Sequence, residues 1–273
     1  MSVAALCQRA GMSRQNFYKA RRARERRRVD EALVCELVKR ERCRQPRLGG
    51  LKLHQMLRDE LSDSGVDLGR DLFFEVLRNQ GLLLEPLPRG PRTTNSAHSD
   101  PVYPNLVAGL DLSGPHEVWV SDITYIRTDG GFAYLSLISD KYSRKIVGYH
   151  LGRSLEGKET LKALKMALRQ LPQKHKLIHH SDRGSQYCSE AYVKGLRRRG
   201  IALSMTEDNH CAENAQAERV NGILKQEYFL NYQFRNLAHA RRAVEQAVRL
   251  YNNSRPHRSL KLKTPEQVHR QAA

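Results

Sequence analysis

Val118-Trp119-Val120-Ser121-Asp122-Ile123-Thr124-Tyr125 and Ile178-His179-His180-Ser181-Asp182-Arg183-Gly184-Ser185-Gln186-Tyr187 share one pattern. In each, a short apolar, strand-like run ends on an aspartate. A third acidic residue, Glu218, stands near the start of the amphipathic helical run Asn214 to Lys225. The surrounding segments alternate in type. Val118–Ser121, Ala133–Ser139, Ile146–Leu151, Leu177–His180 and Ile201–Met205 have strand composition. Glu159–Leu171, Glu190–Arg199, Asn214–Tyr228 and Leu237–Tyr251 have helical periodicity. Three strands, a helix, a strand, a helix, a strand and closing helices predict an α/β domain: a mixed five-stranded sheet flanked by helices.

The 273-residue chain carries a formal net charge of +18 with 40% hydrophobic residues. That hydrophobic fraction supports a packed core and excludes a wholly disordered chain. The charge implies a polyanionic partner, double-stranded DNA first among them. No apolar run is long enough to span a membrane and no secretory pattern follows Met1, so no membrane partner is expected. The five cysteines (Cys7, Cys35, Cys43, Cys188, Cys211) form no C-x-x-C pair, which predicts free thiols in a reducing cytoplasm.

Residues 1–85 read as a helical, basic, DNA-binding region. Ala4, Leu6 and Ala10 give a first apolar face, Gly11 makes a turn, and Ser13 caps a second helix anchored by Phe17 and Tyr18, a helix-turn-helix pattern. The basic run Arg21–Arg28 follows, and Asp30 opens a further helix. Arg14, Arg21 and Arg22 are the candidate DNA contacts of this region. A second helical pair covers Leu51–Leu61 and Leu68–Asn79. Residues 86–115, rich in proline with Gly, Ser, Thr and Asn, read as a linker, and 116–273 as the catalytic domain. Thr206–Glu213 has no periodicity and reads as a mobile loop.

Carboxylates on a basic, DNA-directed chain make chemical sense when a cation lies between them and the phosphate. Phosphodiester attack needs an activated nucleophile and charge neutralisation at phosphorus, which two divalent ions about 3.5–4 Å apart supply. Magnesium and manganese prefer carboxylate oxygens, so Asp122, Asp182 and Glu218 are the candidate catalytic and metal-binding residues. Asp140, before Lys141-Tyr142-Ser143-Arg144, reads as a turn residue, and Asp111 falls in the linker. Lys225, two helical turns beyond Glu218, is a candidate phosphate contact. One of His179 and His180 is expected to pack under the site and the other to face it. With Cys188, His210 and Cys211 they match no structural zinc spacing. Arg255, His257 and Arg258 make a positive cluster at the end of the last long helix, and either phosphate contact or a C-terminal cap fits it.

Together these motifs resemble bacterial insertion-sequence transposases with a retroviral-integrase-type DDE catalytic core, and more narrowly their second-frame (OrfB-type) products. The stretches Val118–Tyr125, His180–Tyr187 and Glu218–Lys225 carry the resemblance, with Tyr251-Asn252, Arg255-Pro256-His257 and Thr264-Pro265 at the end. Leu6–Tyr18 is similar to the start of such products, and Pro46–Leu61 to their second helical segment. The resemblance implies an RNase H-like fold and two magnesium (or manganese) ions on Asp122, Asp182 and Glu218. It further implies nicking at element ends, strand transfer of the freed 3′-hydroxyl, and Lys225 holding DNA. A homo-multimer on paired ends, the upstream-frame product as a partner, and a cytoplasmic, nucleoid-associated location are also implied. The chain has no N-terminal His-His-Cys-Cys module of the viral integrase kind. A non-catalytic DNA-binding regulator of transposition and an RNase H-like nuclease are the competing readings.

Overall fold

The computed structural model describes residues 2–85, 102–173, 175–207 and 214–271. They fall into two compact units, the first built almost wholly from residues 1–85 and the second from residue 86 onward.

In the first unit, α1 (Val3–Arg9) is capped by Ser2, whose Oγ accepts from the Ala5 N–H at 3.3 Å. Gly11 makes the turn at φ +63°. Ser13 Oγ then accepts from the Asn16 N–H at 3.1 Å and starts α2 (Arg14–Arg44). The sequence predicts a break before a new helix at Asp30, but α2 runs unbroken for 31 residues. It contains neither glycine nor proline, and its Arg, Ala, Glu, Lys and Leu content favours helix throughout. Asp30 is therefore an interior helical residue. α3 (Gly50–Asp63) and α4 (Arg70–Asn79) close a small core. Val34, Leu37 and Val38 meet Leu53, Leu57, Leu61, Phe73, Val76 and Leu77, spaced three or four apart on each helix.

The second unit is a five-stranded sheet in the order β3-β2-β1-β4-β5. Its strands are β1 (Val118–Thr128), β2 (Gly131–Asp140), β3 (Ile146–Gly152), β4 (Ile178–Ser181) and β5 (Ala202–Met205). β1, β2 and β3 form an antiparallel meander, and β4 and β5 add parallel to β1. On one face lie α5 (Gly157–Leu168), the single turn α6 (Ser185–Cys188) and α7 (Glu190–Arg197). They bury Trp119, Ile138, Val147, Leu164, Tyr192 and Leu196. On the other face, α8 (Ala215–Glu227) and α9 (Leu237–Asn253) cover Ile126, Leu135 and Leu137 with Val220, Leu224, Val244 and Tyr251. Gly148 lets α5 approach this closely, because a Cβ there would strike the Ala163 carbonyl and Ala167. The short C-terminal α10 (Pro265–Gln271) has no counterpart in the sequence expectations.

The expected sheet and its flanking helices are all present. β1, however, continues seven residues past Ser121, held to Thr128 by antiparallel pairing with β2. Asp122 thus lies inside a strand, one residue beyond the end of its parallel pairing with β4. Of the proline-rich stretch, 86–101 lies outside the described residues. Its remainder packs on the second unit: Val107 is buried with Val118, Val120 and Ala217. The predicted loop is described only to Glu207, and His210 and Cys211 lie outside it. Among the described residues Cys7, Cys35, Cys43 and Cys188 form no disulfide. Among the described residues no helix is long and apolar enough to cross a membrane.

His179 and His180 are both buried, on opposite sides of β4. His179 Nε2 meets Ser121 Oγ at 2.7 Å and Tyr192 Oη at 2.9 Å, while His180 Nδ1 meets Ser204 Oγ at 2.9 Å. Burial pushes His179 down to about 3, and His180 beside it adds to the drop. The fold refuses a proton that the unfolded chain accepts near pH 6.5. This contribution is therefore whole above that pH and is lost as pH falls toward 3. Stability should drop by up to about 1.4 kcal/mol per pH unit in that window from this group alone. Urea unfolding at pH 6.5 and pH 5 checks it, and an unchanged midpoint would contradict a neutral buried His179.

Candidate active site

The parallel register Val120↔His180 and Ser121↔Ser181 sends Asp122 and Asp182 off neighbouring strands at the same level. Asp122 shares its side of β1 with Ile126, the side that α8 covers, because alternate strand residues point alike. α8 is fixed there by three side-chain amides. Asn214 Nδ2 donates to the Ser121 carbonyl at 3.0 Å, and Gln216 Nε2 to the Asp140 carbonyl at 3.2 Å. Asn221 Nδ2 donates to Asp122 Oδ2 at 2.7 Å. Glu218, in the first turn of α8, is three residues before Asn221, and Lys225 four after it. All three share one helix face.

The electrostatics report this gathering. Asp122 retains some exposure, yet burial, followed by repulsion from Asp182, raises its carboxyl to about 7; Glu218 adds to the rise. The hydrogen bonds from Asn221 and from the Ile123 N–H (2.8 Å to Oδ1) act in the opposite direction. Lys225 is half-buried: burial lowers its pKa while Asp122 pulls it back up. Asp182 Oδ1 accepts from the Gly184 N–H at 3.1 Å, and Glu218 is exposed. Among the described residues no group of three His, Cys, Asp or Glu side chains is drawn in closely enough to hold a metal ion as arranged. The donor set nonetheless suits a hard divalent cation. It consists of carboxylate oxygens whose mutual repulsion a shared positive charge would relieve.

The competing carboxylates have other work. Asp140 is fully buried, its Oδ1 accepting from the Ser143 N–H at 2.7 Å and its Oδ2 from the His116 N–H at 2.7 Å. It is the turn residue that its sequence context predicts. Asp111 is exposed in the loop before β1. Asn214, Gln216 and Asn221 were not singled out by sequence reasoning. The signal for Asn221 was its position one turn beyond Glu218.

Of the expected DNA contacts, Arg14, Arg21, Arg22 and Arg258 are exposed, and Lys225 lies beside the carboxylates. Arg255 is a correction. It is 3% exposed, and its guanidinium forks onto Glu227 of α8 at 2.7 and 2.6 Å and reaches His257 Nε2 at 3.0 Å. Its charge is consumed inside the protein, where it ties the end of α9 to α8.

A mixed five-stranded sheet in this order, flanked by helices, is the architecture of an integrase-type core. The integrase core domain family matches residues 113–211, and a second integrase core domain family matches 199–265. The chain is 35% identical to a 31 kDa protein of insertion element IS600 from Shigella sonnei, over 98% of this chain and 100% of that one. It is also 35% identical to transposase InsF of insertion sequence IS3A from Escherichia coli K12, over 63% of this chain and 60% of the relative. The chain belongs to the insertion-sequence transposases with an integrase-type core. Among solved structures, the HTLV-2 integrase catalytic core domain aligns at 22% identity and TM-score 0.46, covering 57% of this chain and 97% of that one. A simian T-cell lymphotropic virus intasome chain aligns at 18% identity and TM-score 0.49, covering 81% and 74%.

Removing Arg255 would take from the largely buried Glu227 carboxylate the guanidinium that forks onto it. Arg255→Met should cost about 3–5 kcal/mol of stability. The exposed Arg258→Ala should stay within about 0.5 kcal/mol of the parent. Denaturant unfolding of both variants separates the two arginines, and equal effects would refute their different roles.

Proposed function

We propose that this transposase cuts DNA at the ends of its element and joins the freed 3′-hydroxyl to target DNA by metal-dependent phosphoryl transfer at Asp122, Asp182 and Glu218. One observation carries the reading. Asp122 sits where Asp182 and Glu218 act on its charge, where it acts in turn on Lys225, and where Asn221 holds it by a hydrogen bond. A chain of net charge +18 has no structural use for converging carboxylates on a face meant for phosphates, unless cations join the two.

Magnesium or manganese ions, two in number, would supply charge neutralisation at phosphorus and a nucleophile activated at neutral pH. Asp122 and Asp182 would hold them from the sheet, and Glu218 would complete the set from α8. Asn221 fixes the rotamer of Asp122 through Oδ2. Lys225, seven residues from Glu218, stands roughly 10 Å along the helix axis, well placed to grip a neighbouring phosphate. In the first unit, the α1–turn–α2 element would serve as the helix-turn-helix, with Arg14, Arg21 and Arg22 on DNA phosphates, and Arg258 would add a contact from the second unit. The protein would act as a homo-multimer on paired ends, with the upstream-frame product of the same element as partner, in the cytoplasm at the nucleoid.

Strand transfer of labelled end DNA with magnesium tests the assignment. Asp182→Asn should lose at least a thousandfold in rate while still binding DNA, the scale on which charge stabilisation at the reacting phosphate operates. Equal activity in parent and variant would refute it. DNA binding without cleavage by the parent would favour the regulator reading, and cleavage of RNA–DNA hybrid alone the nuclease reading.

A further inference from the structure

Tyr187 on α6 is 3% exposed, and its hydroxyl has no hydrogen-bond partner among the described residues. Burying a hydroxyl unpaired costs about 1–3 kcal/mol, so a fold that retains one has some other use for the bond. The ring itself is firmly held, edge-to-face with Tyr192 at 5.5 Å and tilted against His179 at 6.2 Å. Tyr192 is the instructive neighbour. Its own hydroxyl is spent on His179 Nε2 at 2.9 Å, deep in the core. The two phenols lie side by side, and only one is satisfied.

The unsatisfied phenol lies beside the carboxylates. Burial, then Asp182, Tyr192 and Asp122, keep its pKa well above the ordinary value of 10, so it remains a donor at every working pH. Asp182 and the edge of the Tyr187 ring both border Gly184, as does Gln186 Oε1. A Cβ placed on Gly184 would stand 3.0 Å from Asp182 Oδ1 and 3.6 Å from Tyr187 Cδ2. No side chain therefore stands between the carboxylate and the edge of the ring at this position.

We propose that Tyr187 is a positioning residue for the metal site, its Oη donating a hydrogen bond to the Asp182 carboxylate when that carboxylate turns to ligate a divalent cation. The inference rests on the reading of Asp122, Asp182 and Glu218 as metal ligands. One Asp182 oxygen would face the cation and the other would be held by the phenol, which fixes the rotamer and keeps the ligand ionised. Partners of ligating carboxylates commonly act in this way. The same logic explains why a tyrosine stands where a phenylalanine would fill the space at less cost in the protein by itself.

Manganese binding by the full chain, followed by electron paramagnetic resonance, and thermal unfolding without added metal test this together. Tyr187→Phe should unfold at the parent temperature or above it without metal, yet bind manganese roughly 10- to 100-fold more weakly. Tyr192→Phe should lose stability, because His179 loses a buried partner, and leave manganese affinity unchanged. If the parent binds manganese no better than Asp182→Asn, the metal-site reading falls and takes this inference with it. If Asp182→Asn loses binding while Tyr187→Phe binds like the parent, the role of Tyr187 alone is overturned. A Tyr187→Phe protein markedly less stable without metal would also overturn it, since the hydroxyl would then have a structural partner.

Discussion

Asn221 on α8 donates a 2.7 Å hydrogen bond to Asp122 in the interior of β1, and the position of the rest of the site follows from that contact. A helix pinned to a strand at one residue can still pivot. Asn214 on the Ser121 carbonyl and Gln216 on the Asp140 carbonyl remove that freedom at the helix start. With the rotation of α8 fixed, Glu218 and Lys225 lie on the face that carries Asn221. The apolar side of the same helix, Val220, Ile223 and Leu224, is committed to the core with α9. One helix thus supplies a carboxylate, an amide and a cation to a single strand residue, while its opposite side anchors the domain.

The cost of this arrangement is electrostatic. Asp122 is held at about 7 by burial and by its acidic neighbours, so near neutral pH its protonated and ionised forms compete. Two buried charged side chains elsewhere are matched. Asp140 accepts from Ser143 and His116, and Arg255 forks onto Glu227. The contrast between these matched buried charges and the repulsion felt by Asp122 marks Asp122 as a candidate functional position.

Much of this was legible in the sequence because it is local. Alternation and helical periodicity read out the five strands and the long helices, and short motifs picked out Asp122, Asp182 and Glu218. What was illegible depends on partners distant in the chain or on the absence of a signal. An aspartate after Val118-Trp119-Val120-Ser121 looked like a strand end, yet β2 pairs with β1 for seven residues more. The break predicted inside α2 rested on a change of composition, and without glycine or proline the helix simply continues. Arg255 and Arg258 are three residues apart in one basic cluster, and only Glu227, 28 positions from Arg255, distinguishes them. His179 and His180 are both interior because Tyr192 of α7 and Ser204 of β5 come over them.

The most direct measurement is a crystal structure of the full chain grown with manganese, with the metal located by its anomalous scattering. The metal-site assignment predicts a peak held by the carboxylates of Asp122 and Asp182, with Glu218 completing the set and the Asn221–Asp122 hydrogen bond intact. Well-ordered carboxylates with no peak between them at saturating manganese, or a peak held by other residues, would contradict it.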